Sequence, residues 1–326
     1  MTVDSTDWPA ADFEAHRTHL RSVAYRMLGS LTDADDAVQE AWLRLSRVDT
    51  GDVRDLRAWL TTVVSRVCLD MLRSRASRRE DSLDVHVPDP IVTRVDDDPA
   101  EHALLADSVG IALLVVLDTL SPAERLAFVL HDVFAVPFEQ IGPILDRSPA
   151  AAKKLASRAR HRLRDAPPHA AKQAAATSPD GAPTDSAQAG TASGGTASGG
   201  TADLARQWTV VDAFLAASRE GDFEGLLAIL DPDIVLRAEA GAGPLGPSVL
   251  VRGAREVIAQ TQRFAPLGRF VRPVLVNGGP GFLVARNGEP LAVMAVTVHN
   301  DRITEMDVLA DPARLARLDL TELIDD

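Results

Sequence analysis

The stretch from Ala166 to Ala202 most constrains what this chain can become. Its 37 residues are largely Ala, Gly, Ser, Thr and Pro, with TASGG repeated, and they offer almost nothing to bury. Such a composition reads as a flexible linker. The 326-residue chain must therefore build separate cores on either side of it. As a coil the linker would span about 35 Å root-mean-square, from roughly 5–6 Å times the square root of its length.

Just upstream, PFEQIGPILDRSPAAAKKLASRARHRL (Pro137 to Leu163) reads as two short helices across a tight turn. Ser148 stands where an N-cap belongs and Pro149 at the first helical position. Ala152, Leu155, Ala156, Ala159 and Leu163 then recur at helical spacing as a narrow apolar stripe. Lys153, Lys154, Ser157, Arg158, Arg160, His161 and Arg164 occupy the remaining surface. Between Arg147 and Arg164 there are seven Lys or Arg residues and no acid, in a chain of net charge -13. Phe138, Ile141, Gly142 and Leu145 pack at the same period in the preceding helix. The arrangement has the form of a helix-turn-helix recognition helix, ahead of the alternative of a solvated basic helix in a bundle.

The acidic total opposes DNA binding by the chain as a whole, because phosphate neutralisation supplies much of the affinity. The acids are concentrated elsewhere: between Asp81 and Asp118 there are nine, against one base, Arg94. The single cysteine, Cys68, excludes internal disulfides and multi-Cys metal sites and suits a reducing cytosol. No apolar run approaches the ~20 residues that span a bilayer. The acidic N-terminus is unlike a signal peptide. A cytoplasmic protein without membrane association, metal or cofactor is expected.

The N-terminal part is helical by pattern. Phe13, Leu20, Ala24, Met27 and Leu28 give a first helix ended by Gly29. Thr32 is expected to cap a second, with Ala34, Ala37, Val38, Ala41, Trp42 and Leu45 inward. A third, from about Leu56 to Arg79, places Leu60, Val63, Val64, Val67, Cys68, Met71 and Leu72 inward. Ser121-Pro122-Ala123-Glu124 makes a capping box for a later helix.

YRMLGSLTDADDAVQEAWLRL, RAWLTTVVSRVCLDMLRS and LSPAERLAFVLHDVFAVPFEQIGPILDRSPAAAKKLASRARHRL together resemble the two conserved domains of bacterial extracytoplasmic-function sigma factors. The resemblance covers about Phe13 to Arg164. It implies a four-helix domain that binds the RNA polymerase clamp and opens the −10 element, and a second domain whose helix-turn-helix reads the −35 element. Carried over residue by residue, Asp35, Asp36, Gln39, Glu40, Leu43 and Arg44 become the core-polymerase contact. Thr62, Ser65, Arg66, Asp70 and Arg73, with Leu69, point away from the core as the −10 face. Ser148, Lys153, Lys154, Ser157, Arg158, Arg160, His161 and Arg164 become the −35 face. In the family, the segment between the two domains runs through polymerase toward the RNA exit path. Its acidity here suits a groove built for nucleic acid, and equally a solvated linker.

Beyond the linker, Trp208 to Arg219 and Phe223 to Leu230 read as amphipathic helices, Ile234 to Ala238 as a strand, and Ala254 to Ala265 as a helix. Phe270–Asn277, Phe282–Arg286, Leu291–His299 and Ile303–Leu309 then read as strands. They are separated by Gly278-Gly279-Pro280-Gly281, Asn287-Gly288 and Asn300-Asp301. This order resembles the SnoaL-like α+β cone, which some extracytoplasmic-function sigma factors carry as a C-terminal extension. His86-Val87-Pro88-Asp89-Pro90 resembles a Trp-Leu-Pro-Glu-Pro motif of that subgroup's connector. Asp311-Pro312-Ala313-Arg314-Leu315 resembles its Asn-Pro-Asp-Lys-Leu motif, and a glycine-rich motif is expected near Glu239 to Gly243. The resemblance implies a regulatory contact using Pro88, Asp89, Pro90, Asp311 and Pro312.

The expected protein is thus multidomain, with all-α sigma domains followed by an α+β SnoaL-like cone holding a curved antiparallel sheet. Residues 10–80 form sigma region 2 and 81–110 the acidic connector. Residues 111–165 form sigma region 4, 166–202 the flexible linker, and 203–318 the SnoaL-like domain. Expected partners are the RNA polymerase core, through its β′ clamp and β subunits, and promoter DNA. The cone leaves room for a small-molecule ligand. The competing reading is a helix-turn-helix regulator fused to an isomerase- or cyclase-type enzyme. Asp222, Asp233, Glu239, His299 and Asp307 would be its acid/base candidates, although none has a spacing that demands catalysis.

Overall fold

In a computed structural model the described residues are 8–47, 55–78, 85–96, 110–164 and 196–324. The chain divides into two compact units, and the division does not follow the chain order. Residues 85–96 leave the helices that flank them in sequence and join the C-terminal unit.

The first unit is helical. It contains α1 (Trp8–Leu28), α2 (Leu31–Leu45) and α3 (Leu56–Arg78). After α4 (Ile111–Leu117) come α5 (Pro122–Phe128), a π-helical turn (Val129–Val133), α6 (Phe138–Ile144) and α7 (Pro149–Arg164). Gly29, at φ 68°, ends α1. Ser30, not Thr32, caps α2: its side chain accepts from the Asp33 N–H at 3.3 Å. The expected stripe of α2 is buried at Ala34, Ala37, Val38, Ala41 and Leu45, while Trp42 packs its ring 5.0 Å from Phe13. The Ser121–Glu124 capping box is present in full at the start of α5.

The expected one-sided burial of α3 is corrected. Leu60, Val64, Val67 and Cys68 are buried as the pattern requires and Val63, Met71 and Leu72 are half-buried, but Ser65 and Leu69, read as pointing outward, are buried too, as is Thr61. The reason is a second packing surface, since α3 lies against α1 and α2 on one side and α5 and α6 on the other. Arg125 of α5, 2 % exposed, donates to the Arg26 carbonyl at the end of α1 and pairs with Asp118.

The second unit is an α+β cone. Its helices are α8 (Thr196–Glu220), α9 (Phe223–Ile229), α10 (Ala254–Gln262), α11 (Pro312–Leu315) and α12 (Thr321–Ile324), with a 3-10 segment at Ala265–Phe270. The strands are β1 (Val92–Thr93), β2 (Leu230–Glu239), β3 (Val249–Arg252), β4 (Val271–Val276), β5 (Gly279–Arg286), β6 (Glu289–His299) and β7 (Arg302–Leu309), in the order β1-β4-β5-β6-β7-β2-β3. Three hairpins close on two-residue turns, Asn277-Gly278, Asn287-Gly288 and Asn300-Asp301, all six residues at positive φ. That is the backbone these residue pairs tolerate and the one that matches strand twist.

The sheet is mixed rather than antiparallel throughout, because β2 runs parallel to β7. The long excursion through α10 and four further strands allows this crossover, which a hairpin would forbid. Two boundaries move as well. Helix α8 begins at Thr196, inside the stretch read as linker, with Gly199 and Gly200 within its first turns. The segment read as the acidic connector supplies the edge strand β1.

Strand alternation sorts the side chains. Leu236, Phe282, Met306 and Val308 face the helices in one core with Val211, Phe214, Val257 and Ile258. Arg237, Glu305 and Asp307 fall on the opposite face, where the arginine bonds Asp307 at 2.9 Å and Glu305 at 3.2 Å.

Candidate functional site

On α7 the basic face is built locally. Ser148 accepts from the Ala151 N–H at 3.2 Å, and Ala152, Ala156, Ala159 and Leu163 are buried. Lys153, Lys154, Ser157, Arg158, His161 and Arg164 are exposed. The turn before it is tight: the Arg147 N–H closes on the Gly142 carbonyl at 2.9 Å around Asp146 at φ 55°. A Cβ at Gly142 would lie 2.8 Å from the Arg147 carbonyl and 3.2 Å from the Pro149 nitrogen, so only glycine lets α6 approach α7 this closely.

Arg160 is placed differently from the other basic residues. It turns inward to Asp132 of the π-helical turn, at 3.3 Å, where the carboxylate is fully buried. Arg162 similarly reaches Glu124 at 2.9 Å. These two pairs anchor the helix and leave the exposed cations to face outward.

On α2, Asp35, Asp36, Gln39 and Leu43 are exposed, and Arg44 bonds Glu40 at 2.9 Å. Leu43, at 42 %, is among the few large hydrophobic side chains exposed in the described residues. An apolar side chain amid acids on a rigid helix can serve as a protein-contact surface.

The face expected on α3 is only partly gathered. Arg66, Asp70 and Arg73 are exposed and Thr62 is half-buried, but Ser65 is fully buried. Arg66 donates to the Pro143 carbonyl at 3.1 Å. Nearby, His19 approaches Thr61 and Arg57 at 3.3 Å and meets the Phe134 ring edge-on at 5.4 Å. Burial, then Arg57, His16 and Arg26, depress its pKa to about 4, so it is neutral at ordinary pH.

The connector contact is a polar cluster at the edge of the cone. The Val87 N–H donates to Glu239 Oε2 at 2.7 Å, and Ile91 exchanges two hydrogen bonds with Asn277, at 2.9 and 2.8 Å. Val92 and Thr93 then pair with Val276 and Leu275. Arg314 joins the two sides: its Nε donates to Asp89 Oδ1 at 3.1 Å and its Nη1 to Glu239 Oε2 at 2.6 Å. Pro88, Asp89 and Pro90 are buried. Burial raises the pKa of Glu239, but the bonds from His86, Val87 and Arg314 outweigh it and bring it down to about 2.

Asp311 and Pro312 act at one remove. Asp311 caps α11, accepting from the Ala313 and Arg314 N–H groups, and Pro312 opens the helix, which aims Arg314 at Asp89. The glycines at 241 and 243 make room for this cap. Gly241 has φ 51°, and a Cβ on Gly243 would lie 2.8 and 2.9 Å from the carbonyls of Ala240 and Ala310. Sequence reasoning missed Arg314 as the central donor and Asn277 as the strand anchor. The signal for Arg314 was present, because a basic residue occupies the fourth position of the Asp-Pro-Ala-Arg-Leu run.

The acid/base candidates do not converge. Asp222 caps α9, Asp233 is exposed in β2, Glu239 holds the connector, and Asp307 is bonded to Arg237. His299 stands at the Asn300-Asp301 turn. Among the described residues no group of three or more His, Cys, Asp or Glu could hold a metal, and no helix is long and apolar enough to cross a membrane.

Residues 13–78 match the family Sigma-70 region 2, and residues 111–163 match Sigma-70, region 4. The chain is 36 % identical to the ECF RNA polymerase sigma factor SigJ of Mycobacterium tuberculosis, over 96 % of this chain and 95 % of that protein. It is 33 % identical to the probable ECF RNA polymerase sigma factor SigI of the same species, over 94 % of each. The crystal structure of SigJ superposes with a TM-score of 0.69 at 33 % identity, covering 95 % of this chain and 99 % of the other. Both helical regions, their order and the C-terminal cone are thus shared along nearly the full length, and the chain belongs to the ECF RNA polymerase sigma factors.

Proposed function

We propose that this sigma factor engages the β′ clamp and β subunits of core polymerase through the α2 face around Leu43, reads the −35 element with Lys153, Lys154, Ser157, Arg158, His161 and Arg164, and meets the −10 region through the solvent side of α3. Arg160 serves the recognition helix by holding it to Asp132, and Ser148 by capping it. Ser65 becomes available to DNA only when the α3 flank separates from α5 and α6.

The cone acts in cis by holding the connector. The observation that carries this reading is the Asp89–Arg314–Glu239 cluster together with the β1 strand. A connector bonded along residues 87–93 to a sheet edge cannot at the same time thread a polymerase channel, so docking on the cone and docking in polymerase compete. No catalytic step is assigned to the cone.

Run-off transcription with purified core polymerase tests both parts. Lys154→Ala with Arg158→Ala should abolish use of the −35 element while leaving association with core enzyme intact. Asp89→Ala and truncation after Leu163 should each change promoter output. Truncated protein indistinguishable from the full chain in output and promoter choice would overturn cis regulation, and promoter use without core enzyme would overturn the initiation role.

A further inference from the structure

A cavity of about 150 Å³ lies inside the cone, between the concave face of the sheet and the helices. Its floor is Leu236, Phe282, Val284, Ala292, Met294 and Val308, contributed by β2, β5, β6 and β7. Phe214 of α8 and Leu267 of the 3-10 segment face them. Polar side chains stand only at the margin. Thr261 Oγ1 donates to the Ile258 carbonyl and Gln260 Oε1 accepts from Arg263, beside the Ser218 hydroxyl and the exposed Arg219.

None of the five acid/base candidates lines the cavity. Alternation along β2 and β7 sends Arg237, Glu239, Glu305 and Asp307 to the other face of the sheet, and Asp222 is spent on its cap. General acid–base chemistry needs a proton-transfer group within hydrogen-bond reach of a substrate, and these walls supply none. What the walls supply is apolar surface in a concave site, the ordinary form of a small-molecule pocket. An entry route is also present. The Ala265–Phe270 segment closes one side with no buried residue of its own, and the stem of Arg219 rests over Gly268. A wall so thinly packed opens at low free-energy cost.

We infer that the cone binds a neutral, compact apolar small molecule in this cavity, without turning it over. Size follows from volume: an apolar cavity of about 150 Å³ takes up benzene, so the occupant is a single ring or short branched hydrocarbon of roughly six to ten non-hydrogen atoms. Charge is excluded from the interior, because the floor is wholly apolar and the polar lining residues, Ser218, Arg219, Gln260 and Thr261, stand at the margin. The inference concerns binding alone and stands or falls separately from the regulatory role of the cone.

Titration calorimetry of the full-length protein with toluene and indole, and with benzoate and benzylamine as charged counterparts, tests it. Saturable one-to-one binding of a neutral probe, at least tenfold tighter than its charged counterparts, is the expected result. Ala292→Leu, which fills the floor, should weaken it at least tenfold. Met294→Ala, which enlarges the cavity, should shift preference at least tenfold toward naphthalene, and this second variant decides the matter should Ala292→Leu fold poorly. No saturable binding of either neutral probe up to its solubility would overturn the inference. So would equal binding of benzoate, which would place the site at Arg219 on the rim, or affinities unmoved by the two variants.

Discussion

Arg314→Ala is the sharpest perturbation the structure offers. Arg314 is 16 % exposed and lies between Asp89, at 11 %, and Glu239, at 16 %. Removing one member of a fully buried pair costs about 3–5 kcal/mol, because the remaining charge keeps its desolvation without its partner. Here the cluster is partly wet, and Glu239 retains the Val87 N–H and His86, so the loss falls near about 2–3 kcal/mol. It should appear as undocking of the connector rather than unfolding of the cone, since Arg314 sits at the surface of the sheet core. Native-state hydrogen exchange reads it at the amides of Val87 and Ile91, whose acceptors are Glu239 and Asn277. Their exchange should accelerate roughly 30- to 150-fold. Asp89→Ala alone should give a smaller change, and the double variant should fall short of additivity by about 1 kcal/mol or more. The reasoning is refuted if those amides change by less than about threefold. Equal acceleration at the amides of β5 and β6 would also refute it, because the cone itself would then have loosened.

Further outcomes follow from other sites. Gly142→Ala should cost about 1–3 kcal/mol, because its Cβ meets backbone on the other side of the turn, and thermal melts should show it alongside loss of −35 recognition. Arg160→Ala should lower thermal stability by about 2–3 kcal/mol by removing a partner of buried Asp132, whereas Arg158→Ala should leave the melting point unchanged and weaken promoter DNA binding. The pH dependence of docking has a definite sign. The Glu239 pKa falls from 4.5 to about 2 in the folded protein, so its contribution is fully present above the unfolded value and is lost as pH falls through that window. Connector protection due to Glu239 should therefore be flat between pH 5 and 8 and decline below 4.5. Cys68, fully buried with its thiol pushed up to about 12, should resist iodoacetamide in the native state and react only on unfolding.

What could be read from the chain was what neighbouring residues decide among themselves. The Ser121–Glu124 box, the Ser148-Pro149 helix start and the turns at Asn287-Gly288 and Asn300-Asp301 are chemistry over two to four residues, whereas the turn read at Gly278 to Gly281 closes instead on Asn277-Gly278, with Gly279 to Gly281 already in the strand. The exposed cations of α7 followed in the same way, because an apolar stripe dictates which positions remain outside. Tertiary structure decided whatever required a distant partner. Ser65 and Leu69 looked outward because periodicity reports one buried face, and a second helix pair covers the other. Arg160 was indistinguishable from Arg158 until the chain placed buried Asp132 beside it. The resemblance pointed to Pro88, Asp89 and Pro90 of the acidic connector, but not to the partner: Asp89 meets Arg314, 225 residues away, and the connector backbone completes a sheet edge. Alternation puts the carboxylates of β2 and β7 on the face opposite the apolar cavity, but only the parallel pairing of the two strands sets Arg237 beside Asp307. Local propensity has no access to such contacts, because their free energy exists only once the chain has brought both partners together.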